Sequence, residues 1–304
     1  MSPDGTASNG TLSIGELATQ ARTTVKTVRF YSDQGLLPET SRSGGGHRRY
    51  GPEAPARLRT IRALRSLGVP VPEIGRVLDR GDTLEAVVAR RLDDLGTELA
   101  ALRWREAALR ALQDGAPEQL AERLELIGAV SVPPSTSALA HYWRRLLPVR
   151  LSARLRATVT DAAVPQPSAD PTPDQVFAFA RIHALATAAT DHCLVSHRPA
   201  PVTHPDLLYG GLHEAYRLVD AALRTDRAPG PGEALDCYVA AHARASGSRD
   251  SPAFRRSLTV RLTAEDHPVM SRYWQLAGEL TPGLTLGGAD SWLREALTAS
   301  TAAG

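Results

Sequence analysis

The stretch LSIGELATQARTTVKTVRFYSDQGLLPETSRSGGGHRRY, Leu12 to Tyr50, opens on Ser13 with Glu16 three residues later. That spacing lets each side chain bond the other's backbone amide, so a helix is expected from Ile14. Ile14, Leu17, Ala18 and Ala21 recur at helical spacing and give this helix one narrow apolar face, suited to packing rather than reading. Thr24 is a good N-cap for a second helix, VKTVRFYSDQG, with Val25 and Val28 on its packing side, Lys26, Thr27, Arg29 and Tyr31 elsewhere, and Gly35 as its stop. Two short helices joined by a tight turn, the second carrying cations and hydroxyls, form a helix-turn-helix pattern. Beyond Leu36-Leu37-Pro38 come Arg42, a bend of Ser43 and three glycines, and His47-Arg48-Arg49-Tyr50. This reads as a hairpin-like wing whose arginines can clamp a phosphate backbone.

From Leu12 to Leu78 the chain resembles the DNA-binding domain of the MerR family of transcription regulators. The matching residues are Ile14-Gly15-Glu16-Leu17-Ala18, Thr27-Val28-Arg29-Phe30-Tyr31, Gly35-Leu36-Leu37-Pro38, Arg48-Arg49-Tyr50, and Leu67-Gly68 followed by Glu73-Ile74. Phe30 stands where the family often has Tyr, and Pro70 replaces a usual capping Ser. The resemblance implies double-stranded promoter DNA as partner, a homodimer, and RNA polymerase at the promoter. Family members sit on an overlong promoter spacer, and the effector-bound dimer bends and untwists it, trading deformation energy against phosphate contacts. Arg29 and Tyr31 would then address the major groove, Thr24 the backbone at the helix N-terminus, and Arg48 and Arg49 the flanking phosphates, with Lys26 and Arg42 on the same surface. The helices after the wing support it in this family and contribute phosphate contacts, which points to Arg57 or Arg59. Solvated surface arginines are the plain alternative.

Charge is distributed to match. Residues 11–80 carry twelve cations against six anions, about +6, while the whole chain carries only +2, so the rest is about −4. Only the head suits a polyanion. With 304 residues and 42% hydrophobic composition the chain can build more than one globular core. Two cysteines, Cys193 and Cys237, are too few for a disulfide framework. No apolar run reaches the roughly 18 residues of a membrane span, and no secretion signal is visible, so a cytoplasmic location without membrane contact is expected.

After the head, Pro52 to Ser66 and residues 71–79 read as helices, and Thr83 to Gln113 as one long helix. In that helix Val88, Leu95, Leu102 and Leu109 repeat every seven residues, Leu92 and Leu99 fill the complementary position, and Glu106 breaks the pattern. Such a stripe needs a partner. It is either the chain's own core or, as the resemblance favours, a second copy in an antiparallel coiled coil. The remainder reads as helices near 117–129, 135–158, 173–197, 205–226, 231–246, 251–262, 268–280 and 288–300, with a linker at 161–174 and a turn at 227–232. The expected fold class is therefore all-α with a small β wing. Its parts are a tail (1–10), a winged helix-turn-helix domain (11–80), a coiled-coil dimerisation helix (81–115) and an all-helical effector domain (116–304).

Chemistry-bearing motifs are sparse. The wing glycines lack the Lys-Ser/Thr ending of a phosphate loop, and neither Gly-x-Ser-x-Gly nor His-Glu-x-x-His occurs, so no enzyme is expected. Asp79–Thr83 and Asp114–Glu118, the places where metal-sensing members of the family carry cysteines, hold none. Asp191, His192, Cys193 and His197, with His204 and His213 further on, are a weak zinc candidate, and no metal or cofactor is expected. Aromatics are scarce in this chain yet gather beyond the dimer helix. Tyr142-Trp143 and Tyr273-Trp274, with His183 or His242 as polar partner, are the first choice for a small-molecule effector pocket. Ordinary core packing is the competing reading, and a protein-partner module is the competing role for the domain.

Overall fold

A computed structural model describes residues 10–188 and 202–302. Strand β1 (Leu12–Ser13) leads into helix α1 (Ile14–Gln20), whose start is the expected reciprocal box. The Ser13 amide donates to Glu16 Oε2 at 2.6 Å, and the Glu16 amide donates to Ser13 Oγ at 3.3 Å. Helix α2 (Val25–Asp33) is capped by Thr24 Oγ1, which accepts from the Thr27 amide at 3.1 Å. It ends where expected: Gly35 takes φ +76°, the Leu36 amide donates to Tyr31 O, and the Gly35 amide donates to Ser32 O. A side chain at Gly35 would meet no atom but would carry the left-handed backbone penalty.

The wing is β2 (Ser41–Arg42) paired antiparallel with β3 (Arg48–Tyr50), Arg42 opposite Arg48. Strand β1 adds to the other side of β3, Leu12 opposite Tyr50, giving the order β1-β3-β2. Two-residue strands carry no alternation, so β1 has no signature in the sequence. Helices α3 (Ala54–Ser66) and α4 (Val71–Leu78) follow. Pro55 sits in the first turn of α3, where its missing N–H is harmless. At α4 the Pro70 carbonyl accepts from the Glu73 and Ile74 amides, so that helix starts without a capping side chain. Leu17, Val28, Tyr50, Leu58, Ile61 and Ile74 form the fully buried centre of the head.

Helix α5 (Leu84–Gln113) has 30 residues, about 45 Å at 1.5 Å per residue. The chain divides into two compact units inside it, Met1–Glu98 and Leu99–Gly304. In the first unit Asp82 accepts from Arg76 (2.9 Å) and Arg90 (2.7 Å), tying the start of α5 to α4. In the second, Ala101, Trp104, Ala107, Ala108 and Ala111 are buried, and the Trp104 ring meets Phe179 edge-on at 5.5 Å.

The second unit continues with a 3-10 turn (Pro117–Gln119), α6 (Leu120–Gly128), α7 (Ser137–Leu146), α8 (Ala153–Ala163) and α9 (Pro173–Ala188). Then come α10 (Pro205–Leu223), α11 (Glu233–Ala245), α12 (Pro252–Ala264), α13 (Pro268–Leu280) and α14 (Leu286–Ala302). The single helix expected at 135–158 is two. Leu147, preceding Pro148, turns extended at ψ 145°, because proline's ring disfavours helical geometry in the residue before it. The 161–174 segment is packed rather than free: Ala163, Val164, Pro165 and Pro171 are buried. The Tyr273 hydroxyl donates to Ala163 O at 2.8 Å, and Thr172 with Gln175 forms a second capping box. One core joins α5, α7, α9 and α13, and another joins α10, α11, α12 and α14. Gly211 lets α10 approach α11 closely, since a Cβ there would lie 2.5 Å from Ala241 Cβ. No helix among the described residues is long and apolar enough to cross a membrane.

Candidate nucleic-acid interface

At about 100° per residue, Val25, Arg29, Asp33, Lys26 and Phe30 fall in that angular order on one half of α2, and all five are exposed. The opposite side holds Val28 and Tyr31, both buried. This differs from the sequence reading at two places. Val25 is 40% exposed instead of packing, and Tyr31 is in the core, so the aromatic ring facing solvent is Phe30 at 50%. The alternation of hydrophobic and polar residues in VKTVRFY allows either rotation of the helix. Packing against Leu17, Leu58 and Ile61 selects this one.

Lys26 and Arg29 form no ion pair among the described residues, so both charges are open to an incoming anion. Thr24 and Thr27 hydroxyls lie 2.9 Å apart at the helix N-terminus, where backbone amides and the helix dipole favour an anion. The wing arginines are differently placed. Arg48 Nη1 donates to Asp33 Oδ1 at 2.6 Å and its Nε lies 3.5 Å from Glu39. Arg42 Nε donates to Glu39 at 3.1 Å, and Arg49 lies 3.8 Å from Glu16. The Asp33 carboxylate raises the Arg48 pKa through its hydrogen bond, while the Ser13 backbone and hydroxyl bonds, helped by Arg49, lower that of Glu16. Exposed pairs of this kind contribute only about 0–1 kcal/mol, so phosphates can take over the arginines at little cost.

Arg57 and Arg59 separate cleanly. Arg57 donates to Leu36 O (2.6 Å), Leu78 O (3.3 Å) and Asp79 (3.0 Å), and is thus spent on holding the head together. Arg59 is exposed. Arg62, which sequence reasoning passed over, donates to Ala21 O (2.7 Å) and Arg22 O (3.2 Å) and clamps the turn between α1 and α2. In that turn Arg22 takes φ +50°, a position glycine would occupy without strain.

The residues singled out for an effector do come together. Tyr142 stacks on Tyr273 at 5.9 Å, and Trp143 meets Tyr273 at 5.4 Å and Trp274 at 5.2 Å. They meet as core, however. Tyr142 and Tyr273 are fully buried and Trp143 nearly so, and burial pushes the Tyr142 hydroxyl up to about 12. Trp274 is half-buried and lies against Gly287, where any Cβ would collide with its ring. His183, on α9, is half-buried with its pKa lowered by desolvation and its Nδ1 unpartnered. His242 belongs instead to the other core, ringed by Tyr238 at 4.8 Å and Arg261 at 3.4 Å. That core holds a polar network with no sequence signature. Asp290 accepts from Tyr216 (3.1 Å), Tyr238 (2.9 Å) and Arg294 (2.5 Å), and Arg294 also donates to Leu262 O at 2.7 Å. Among the described residues no group of three or more His, Cys, Asp or Glu could hold a metal. Asp191, His192, Cys193 and His197 lie outside the described residues.

Residues 12–81 match the MerR HTH family regulatory protein profile. Nodulation protein NolA of Bradyrhizobium sp. (strain NC92) is 34% identical over 146 residues, 44% of this chain and 62% of that protein. The chain spans less than two thirds of the NolA proteins it matches. HTH-type transcriptional activator TipA of Streptomyces coelicolor is 43% identical over 67 residues, 22% of this chain and 26% of that protein. The mercuric resistance operon regulatory protein of Serratia marcescens is 34% identical over 106 residues, 33% of this chain and 74% of that protein. Covering three quarters of that regulator at this identity, with the capping box, second helix and wing in place, the chain belongs to the MerR family of transcription regulators.

Proposed function

We propose that this protein regulates transcription as a homodimer. Each head lays α2 and the wing on one half of a promoter site, α5 pairs antiparallel with α5 of a second copy, and the second unit responds to a small-molecule effector. The observation that carries the reading is the outward face of α2, where Lys26 and Arg29 have no ion pair among the described residues and stand beside an N-terminus capped by Thr24. The dimer rests on α5, where Leu84, Val88, Leu92, Leu95, Leu99, Leu102 and Leu109 are all exposed, a stripe left uncovered among the described residues. Two heads joined this way would read a pseudo-palindrome. We extend the activating sense of the TipA relative to this chain, with RNA polymerase as the further partner at the promoter. The effector, drug-like or metabolic, would meet the half-buried Trp274 and His183 first, and would reach the buried Tyr142, Trp143 and Tyr273 only by opening the core.

Two measurements on the full-length protein test this. Footprinting on its own promoter, with a salt titration, should give a protected two-fold site and a log–log slope near −5 for about six neutralised phosphates. Binding that ignores salt would refute the charge-based head. A thermal-shift screen of drug-like compounds tests the effector role: ligand at a hundredfold over its Kd stabilises by about 2.7 kcal/mol. Silence across a broad panel, with DNA binding intact, removes the small molecule and leaves a protein partner for the second unit.

A further inference from the structure

The outward face of α2 holds one residue that charge does not use. Phe30 is half exposed, one turn after Lys26 and next to Arg29. Its ring meets Tyr31 edge-on, centroids 5.2 Å apart at 64°, and Tyr31 is anchored in the core. The phenyl ring is therefore buttressed on one side and bare on the other. It carries neither donor nor acceptor, so it can bond no phosphate and no base heteroatom. On the edges that base pairs show in the major groove, the apolar group is the C5-methyl of thymine. We infer that Phe30 is a specificity-determining residue that packs on a thymine methyl in each half of the DNA site. This rests on the reading of α2 as the groove-facing helix.

The hydroxyl-bearing neighbours fit that division of labour. Tyr31, which could bond a base edge, is turned inward, and the Thr24 and Thr27 hydroxyls sit at the helix N-terminus. Lys26, beside the ring on the same face, would hold a phosphate and bring the phenyl face to the groove floor. A ring pressed on deoxyribose instead would add affinity without any preference for thymine.

The test uses duplexes enriched from a random library by the full-length protein, remade with deoxyuridine at single thymine positions, which deletes only the methyl. Loss of one buried methyl is worth roughly a three- to fivefold weakening. The expected result is that weakening at one thymine per half-site for the native protein, and none for Phe30→Ala on the same pair of duplexes. Phe30→Leu, which keeps an apolar tip, retains part of the effect. The side chain is exposed, so an unchanged melting temperature shows the variants folded. Equal binding of thymine and uracil duplexes by the native protein overturns the inference, as does an undiminished methyl effect in Phe30→Ala. If no sequence is enriched at all, the groove-facing assignment of α2 fails first, and the Phe30 role with it.

Discussion

Residue by residue, the head separates arginines that fold it from arginines that are free to bind. Arg29 is in the second class, and so is Arg48 once a phosphate displaces its exposed pairs with Asp33 and Glu39. Arg48→Ala should weaken binding to all sequences and reduce the salt slope by about 1, since one phosphate contact is lost. Arg29→Ala should also relax specificity, which a comparison of cognate and scrambled duplexes would show. An unchanged slope for the wing variant would rule Arg48 out as a phosphate contact. Arg57 is in the first class, because its guanidinium closes two carbonyls and a carboxylate across three segments of the head. Arg57→Ala should cost the head about 1–3 kcal/mol in urea unfolding while leaving the salt slope where it was. From sequence the two classes look alike, all being arginines in a basic stretch. The carbonyls that claim Arg57 and Arg62 come from residues roughly 20 to 40 positions away, and only folding delivers them.

At the scale of the element, α5 is a helix with two clients. One stripe, Val88 to Leu109, faces outward. The other, Ala101, Trp104, Ala108 and Ala111, is buried in its own unit. The sequence shows only the leucine stripe, with a partner chain or the chain's own core as its cover, because alanines score weakly in a hydrophobic pattern. The two faces make separable predictions. Leu95→Glu with Leu99→Glu should turn a dimer into a monomer in sedimentation and leave the helix content of the second unit intact. Trp104→Ala should leave the dimer assembled but destabilise the second unit by about 3–5 kcal/mol, as large-to-small core changes do. A Trp104→Ala protein that unfolds no earlier would show the indole to be outside the core.

For the whole molecule, acid is the simplest probe of the polar network in the second unit. Burial, with Arg261 and Arg294 nearby, pulls His242 down to about 4, although Asp290 opposes them. Its ordinary value is about 6.5, so between pH 6.5 and 4 the unfolded chain holds more protons there than the native one. Stability is then complete above pH 6.5 and falls as the pH drops toward 4, by up to about 3 kcal/mol. His242→Gln should flatten that window in a series of melts at different pH. A melting temperature that falls equally in both proteins would place the acid sensitivity elsewhere.

Local chemistry set the elements of this chain. Capping boxes, glycine stops, helical periodicity and a glycine bend act over a few residues, so the head, its two short helices, its wing and the long α5 are legible without coordinates, and with them the family. What folding alone decided is which way each element faces and whom each polar group meets. Packing rotates α2 so that Phe30 looks out and Tyr31 in. Four aromatics that suggest a pocket close on one another as core, and Asp290 gathers Tyr216 and Tyr238 from two other helices. The physical reason is common to all of them: a side chain's surroundings are set by neighbours distant in sequence, and neither spacing nor composition carries that information.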